Sequence, residues 1–249
     1  MERIPSGIEG LDKITGGFPK GRTVLITGAA GTGKTILALR FGVTSALSGL
    51  KTVFIATEEE RNDLINQSAS FGWEIPVLEK KGVFRLVELA IQRVAEFEAV
   101  KNIKDETGKG WLGELSSIIP EDTEVMILDS LGSVISDLSL REFRDMFNLF
   151  TYNLKQRHIT SMMILEGASM KEFNDLPMYY VYSAIQLLKR ENPYTGQRER
   201  VMDIVKMRNT NTTIQLIPYE INPSGIVVHP PLQDDYFTGD SFQKNLTNG

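Results

Sequence analysis

Gly28-Ala29-Ala30-Gly31-Thr32-Gly33-Lys34-Thr35 is a complete phosphate-binding loop of the form G-x-x-x-x-G-K-[ST]. The apolar run before it, Thr23-Val24-Leu25-Ile26-Thr27, reads as a buried strand, and Ile36-Leu37-Ala38-Leu39-Arg40-Phe41 after it has helical composition. The glycines let successive main-chain N–H groups turn toward one anion. A helix starting near Gly33 adds the positive end of its dipole. Lys34 brings a full charge to the β- and γ-phosphates. Thr35 offers a hydroxyl to Mg²⁺, an ion that keeps several waters and needs few protein ligands. A glycine-rich turn capped by a lysine is the simpler reading, and the correct flanks on both sides weigh against it.

The 249 residues allow one large α/β domain or two small ones. An apolar content of 41% is ordinary for a chain that buries a real core. A net charge of −5 is unlike a strongly basic nucleic-acid binder. The absence of cysteine excludes disulfides, thiolate metal sites and cysteine nucleophiles. Met1-Glu2-Arg3-Ile4-Pro5-Ser6 is not a signal peptide and no run approaches bilayer length, so the expectation is a soluble cytoplasmic protein with no membrane partner. His158 and His229 have no neighbouring ligand set, and His158 is expected to end a helix.

Apolar runs at 23–27, 52–56, 124–128, 160–165 and 184–189 alternate with helical stretches at 34–48, 64–71 and 140–157. Near-continuous apolar strands are those covered on both faces. The pattern predicts an α/β fold, a mostly parallel twisted sheet flanked by helices. Short β-branched runs at 200–206, 212–217 and 225–228, with a turn at Asn222-Pro223-Ser224-Gly225, predict a C-terminal antiparallel extension. Residues 101–120 read as an insertion or mobile loop and 233–249 as a polar tail, leaving 1–232 as one domain.

A nucleotide hydrolase needs a second acidic element. Val125-Met126-Ile127-Leu128-Asp129-Ser130 supplies one: a buried strand would carry Asp129 to the carboxyl edge of the sheet, there to hold the Mg²⁺ shell. The alternative is an aspartate capping the next segment with Ser130. In Thr57-Glu58-Glu59-Glu60, Thr57 and Glu60 fit a helix capping box, while Glu58 or Glu59 could activate the attacking water. Lys206 and Arg208 project from one side of a strand, either as a solvated edge or as fingers for a neighbour's γ-phosphate.

These residues resemble a single-domain KaiC-like ATPase of the RecA superfamily. The resemblance rests on Pro5-Ser6-Gly7-Ile8-Glu9-Gly10-Leu11-Asp12 with Gly16-Gly17-Phe18-Pro19-Lys20-Gly21, on Val53-Phe54-Ile55-Ala56-Thr57-Glu58-Glu59, and on Leu128-Asp129-Ser130. Val205-Lys206-Met207-Arg208 and Gly225-Ile226-Val227-Val228-His229-Pro230 complete it, from about Ile4 to Pro230. The resemblance implies a ring, usually a hexamer, with ATP between subunits. It also implies Lys206 and Arg208 acting in trans, and Glu58 and Glu59 as the water-activating pair with Glu58 foremost. Two departures stand out. The family pattern continues Gly-Thr-Ser-His after K-[LM]-R, where this chain has Asn209-Thr210-Asn211-Thr212. The self-phosphorylated Ser-Thr pair of clock-type members aligns with Tyr179-Tyr180, which argues against Ser/Thr autokinase activity.

The leading expectation is a Mg²⁺-dependent ATPase that binds ATP and ADP and works as an oligomeric switch toward an unidentified protein partner. A DNA-acting recombination or repair protein is the alternative, with 167–177 as the contacting loop. That segment carries one lysine against two acids and a single aromatic, Phe173, which is poor for tracking phosphates. A nucleotide-gated scaffold with little turnover is the third reading.

Overall fold

The apolar runs fold as strands whose alternate residues feed two separate layers of packing. The computed structural model describes residues 1–89, 115–132, 138–166 and 171–230, with side chains from 176 onward in the last stretch. Most of the expected insertion and all of the expected tail lie outside the described residues. The first half of the chain forms β1 (Arg3–Ile4), α1 (Glu9–Thr15), β2 (Phe18–Pro19), β3 (Thr23–Gly28), α2 (Lys34–Leu47), β4 (Thr52–Ala56), α3 (Arg61–Ser70), α4 (Ile75–Lys80) and β5 (Phe84–Glu88). The second half forms β6 (Val125–Asp129), α5 (Leu140–Gln156), β7 (Thr160–Glu166), α6 (Lys171–Tyr180), β8 (Ser183–Glu191), β9 (Arg198–Met207), β10 (Ile217–Asn222) and β11 (Gly225–Val228).

The main sheet has nine strands in the order β11-β10-β9-β8-β3-β7-β6-β4-β5. From β8 to β5 every pair is parallel, and from β8 to β11 every pair is antiparallel. The expected architecture, a mostly parallel sheet with an antiparallel C-terminal extension, is the one observed. Val24, Ile26, Phe54 and Ile127 pack with Leu37 and Phe41 of α2 on one face. Leu25, Val53, Ile55, Met126 and Leu128 pack with Phe143, Phe147 and Phe150 of α5 on the other. That two-sided burial is why these strands are apolar throughout.

Helix α5 starts where Ser139 and Glu142 form a capping box, and it buries Phe143, Phe147, Phe150 and Leu154 along one stripe. His158 follows the end of that helix with φ 56°, as expected of a residue ending it. In the opening segment the Asp12 carboxylate accepts from Ser6 N (2.8 Å) and Gly7 N (3.2 Å), which bends the chain into α1. The adjoining β1 and β2 pair antiparallel.

Two expectations need correction. Residues 212–216 are not a strand, and Ile214 is fully exposed; the third antiparallel partner is β10, which begins at Ile217. Propensity favoured the β-branched run, but the tight Asn222–Gly225 hairpin sets the register and draws Ile217 and Tyr219 into the core. The segment after β7, expected as a loop, is helical over Lys171–Tyr180 with Pro177 inside it. Residues 167–170 and the side chain of Phe173 lie outside the described residues.

Candidate functional site

Parallel register alone brings the acidic ends together. Gly28 pairs with Glu166 across β3 and β7, and Ala56 pairs with Asp129 across β4 and β6. The carboxyl ends of four strands thus meet at one edge, where open α/β sheets bind ligands. A cavity of about 410 Å³ opens there. Gly31, Gly33, Lys34 and Thr35 line it from the loop, and Glu58, Glu59, Asp129 and Glu166 from the strand ends.

The phosphate loop is built against the antiparallel extension. Gly33 is the N-cap of α2 with φ 96°, and a Cβ there would stand 2.7 Å from Ile221 Cδ1. A side chain at Gly28 would meet Leu187 O at 2.4 Å. Thr32 Oγ1 donates to Ala29 O (2.8 Å), and Tyr219 Oη donates to Thr32 O (2.7 Å). Burial pushes the Tyr219 phenol up to about 12, so it remains a donor. Lys189 Nζ donates to Ala30 O (3.1 Å) from the outer side. Lys34 is buried and donates to Glu166 Oε1 (3.1 Å) and Ala29 O (3.2 Å).

The acids have distinct settings. Thr35 Oγ1 donates to Glu59 Oε1 at 3.4 Å. Burial pushes Asp129 up to about 7, and the nearby Glu59 and Glu58 charges add to this against Thr35 and Lys34. Burial likewise raises Glu59, with Asp63 and Glu58 adding to it. A hydroxyl and crowded carboxylates form an all-oxygen donor set of the kind that suits a hard cation, and such an ion would favour their ionised forms. Among the described residues no cluster of three or more His, Asp or Glu forms a closed metal site. An open set completed by water and phosphate oxygens is the arrangement expected for Mg²⁺.

Glu58 is exposed and accepts from Ser130 Oγ, which in turn accepts from Gly132 N (3.1 Å). Thr57 does not cap α3. Its hydroxyl bonds the main chain of Ser130, and Glu60 stands at the N-cap with no side-chain bond. The capping-box reading of Thr57 and Glu60 is therefore wrong: the β4–β6 pairing continues one residue further, Thr57 N donating to Asp129 O, and claims the threonine. The reading of Asp129 as a cap bonded to Ser130 also gives way to a strand end aimed into the cavity.

Lys206 and Arg208 stand elsewhere. Met202 pairs with Leu187, itself beside Gly28, whereas Lys206 pairs with Ala184, beside Leu25. Three residues of β3 and β8, about 10 Å, separate these levels, with a bulge in β9 taking up a fourth, so both cations sit toward the amino edge of the sheet, away from their own phosphate loop. Lys206 Nζ donates to Tyr179 O (3.2 Å), and burial together with Arg208 lowers its pKa. Tyr179 is 76% exposed and Tyr180 41%, whereas the ring of Tyr182 carries Arg22 at 5.4 Å.

The family model described as "ATPase: KaiC" matches residues 4–233. The chain belongs to the KaiC ATPase family. The circadian clock oscillator protein KaiC of Prochlorococcus marinus (strain MIT 9313) is 28% identical over 244 residues, covering 92% of this chain and 46% of that protein. A UPF0273 protein of Thermotoga maritima is 26% identical over 236 residues, covering 92% of this chain and 97% of its own. A crystal structure of a KaiC-like protein from the hyperthermophilic archaeon Pyrococcus horikoshii OT3 is 29% identical with a TM-score of 0.76, covering 92% of this chain and 99% of that one. The fold is the RecA-like KaiC fold, and the chain spans about half the length of the clock relatives it matches.

The departure after the KaiC-type K-M-R segment has a physical answer. Asn209, where that pattern has glycine, adopts φ 54°. Asparagine is among the few side chains that enter this region readily. Arg3 holds the same turn through bonds to Asn209 O (3.2 Å) and the Thr210 hydroxyl.

Sequence reasoning missed Glu166, Gln67, Arg200 and Ile221, all of which line the cavity. Glu166 ends an apolar strand as Asp129 does, and that parallel was the available signal. The other three come from a helix flank and the antiparallel extension, whose placement no local pattern gives. Among the described residues no helix is long and apolar enough to cross a membrane.

Proposed function

We propose that this chain is a Mg²⁺-dependent ATPase whose sites are completed between subunits of a ring, working as a nucleotide-driven switch. One observation carries the reading: loop, cation-binding hydroxyl and acids converge on one cavity, while Lys206 and Arg208 stand too far along the sheet to serve it. Cations so placed are useful for phosphoryl transfer when a second copy presents them to the neighbour's γ-phosphate.

In this reading the amides of residues 28–35 and Lys34 grip the phosphates. Thr35 and Asp129 would hold Mg²⁺, which would neutralise charge on the phosphates. Glu58, more exposed than Glu59, orients and activates the attacking water, and Glu59 supports the Thr35 side. Lys206 and Arg208 of the adjacent copy meet the charge developing on the transferred group. Turnover then depends on assembly. The test is ATPase rate against protein concentration, with sizing of the nucleotide-free, ADP and ATP-analogue forms. A specific rate that rises steeply with concentration, alongside a nucleotide-dependent oligomer, is the expected result. A constant specific rate from a monomer would overturn the shared site.

A further inference from the structure

Glu166 gives the phosphate lysine an internal anion. Its carboxylate accepts from Lys34 Nζ at 3.1 Å, and the lysine's other contact is the loop carbonyl Ala29 O at 3.2 Å. The Lys34 side chain is 7% exposed and that of Glu166 41%, so the pair spans the cavity wall with the acid on the open side. Register fixes this arrangement, because Glu166 is the β7 partner of Gly28, the first residue of the loop. Both side chains line the same cavity.

The lysine of such a loop serves the β- and γ-phosphates. A γ-phosphate reaching Lys34 must therefore take the place that Glu166 holds on the ammonium, and two anions repel each other there. A diphosphate presents only its β-phosphate to Lys34 and so competes less with Glu166 for the ammonium. Resting on the nucleotide-site reading above, we infer that Glu166 sets nucleotide preference by competing with the γ-phosphate for Lys34, weakening ATP relative to ADP. Binding of ATP releases the carboxylate. Loss of the γ-phosphate lets Glu166 recapture Lys34, so the two nucleotide states differ in a charge pair at the end of β7, directly before the chain leaves the sheet.

The test is calorimetric titration of wild-type, Glu166→Gln and Glu166→Asp proteins with ADP and with a non-hydrolysable ATP analogue, both with Mg²⁺. Glu166→Gln is expected to tighten the ATP analogue about tenfold while ADP moves by less than about twofold. Glu166→Asp keeps the charge and stays closer to wild type for both ligands. Equal shifts for the two nucleotides, weaker binding of the ATP analogue by Glu166→Gln, or an Asp variant as tight as the Gln variant would overturn the inference and leave the site reading standing. A wild-type protein that binds neither nucleotide would remove both.

Discussion

Thr57 and Ser130 exchange two hydrogen bonds across the ends of β4 and β6: Ser130 N donates to Thr57 Oγ1 at 2.8 Å, and Thr57 Oγ1 donates to Ser130 O at 2.9 Å. Both residues are buried. The clamp ties the turn carrying Glu58 and Glu59 to the strand carrying Asp129. Thr57→Val keeps the shape but leaves a buried N–H and a carbonyl without their partner, which costs about 2 kcal/mol. Denaturant unfolding should show that loss, and turnover should fall more than ATP affinity. Wild-type stability in the valine variant would mean that water replaces the clamp.

Removing both candidate bases separates binding from chemistry. Glu58→Ala with Glu59→Ala should retain ATP binding while hydrolysis drops at least about a hundredfold, the scale of general-base catalysis. Single variants rank the two, and Glu58→Ala should be the more damaging. Undiminished phosphate release by the double variant would take the role from this pair.

The turn after Met207 is tuned by one backbone conformation. Asn209→Gly suits φ 54° and should leave turnover within about twofold. Asn209→Val puts a β-branched side chain in that region at a cost of about 1–2 kcal/mol. It should slow turnover without changing nucleotide affinity if the shifted cations serve a neighbour's site, as proposed above. Arg3→Ala, which releases Asn209 O and Thr210, should act in the same direction. A loss of affinity equal to the loss of rate would place these residues in the subunit's own site.

Much of this was legible in sequence because the chemistry is local there. The phosphate loop needs contiguous residues, and strands buried on both faces are apolar without interruption, so β3, β4, β6 and β7 stood out. Thr57 misled because its spacing to Glu60 is that of a cap, while its real partner lies 73 residues away at Ser130. β10 was misplaced because hairpin register, fixed at Asn222 and Gly225, outweighed the β-branched run before it. Glu166 stayed hidden since an acid at a strand end is common, and only the parallel register of β3 with β7 brings it to Lys34.

Gly10 shows why the opening signature carries a glycine inside a helix. A Cβ on it would stand 1.9 Å from Val228 O and 2.8 Å from Val228 C, where α1 crosses β11. Backbone cannot swing aside as a side chain can. Gly10→Ala should therefore destabilise the fold by about 3 kcal/mol despite the better helix propensity of alanine. A thermal midpoint equal to or above wild type would show that α1 packs more loosely than this.

Two inactive variants test the shared site together. Lys34→Ala lacks the phosphate lysine but keeps its fingers, while Lys206→Ala with Arg208→Ala lacks fingers but keeps its loop. Each alone should be nearly inert. Mixed in equal amounts and allowed to exchange subunits, they should recover about a quarter of the wild-type rate, since a head-to-tail ring then pairs an intact loop with intact fingers at that share of its interfaces. A mixture as inert as its components, beside an active wild type, would contradict completion of the site by a neighbour.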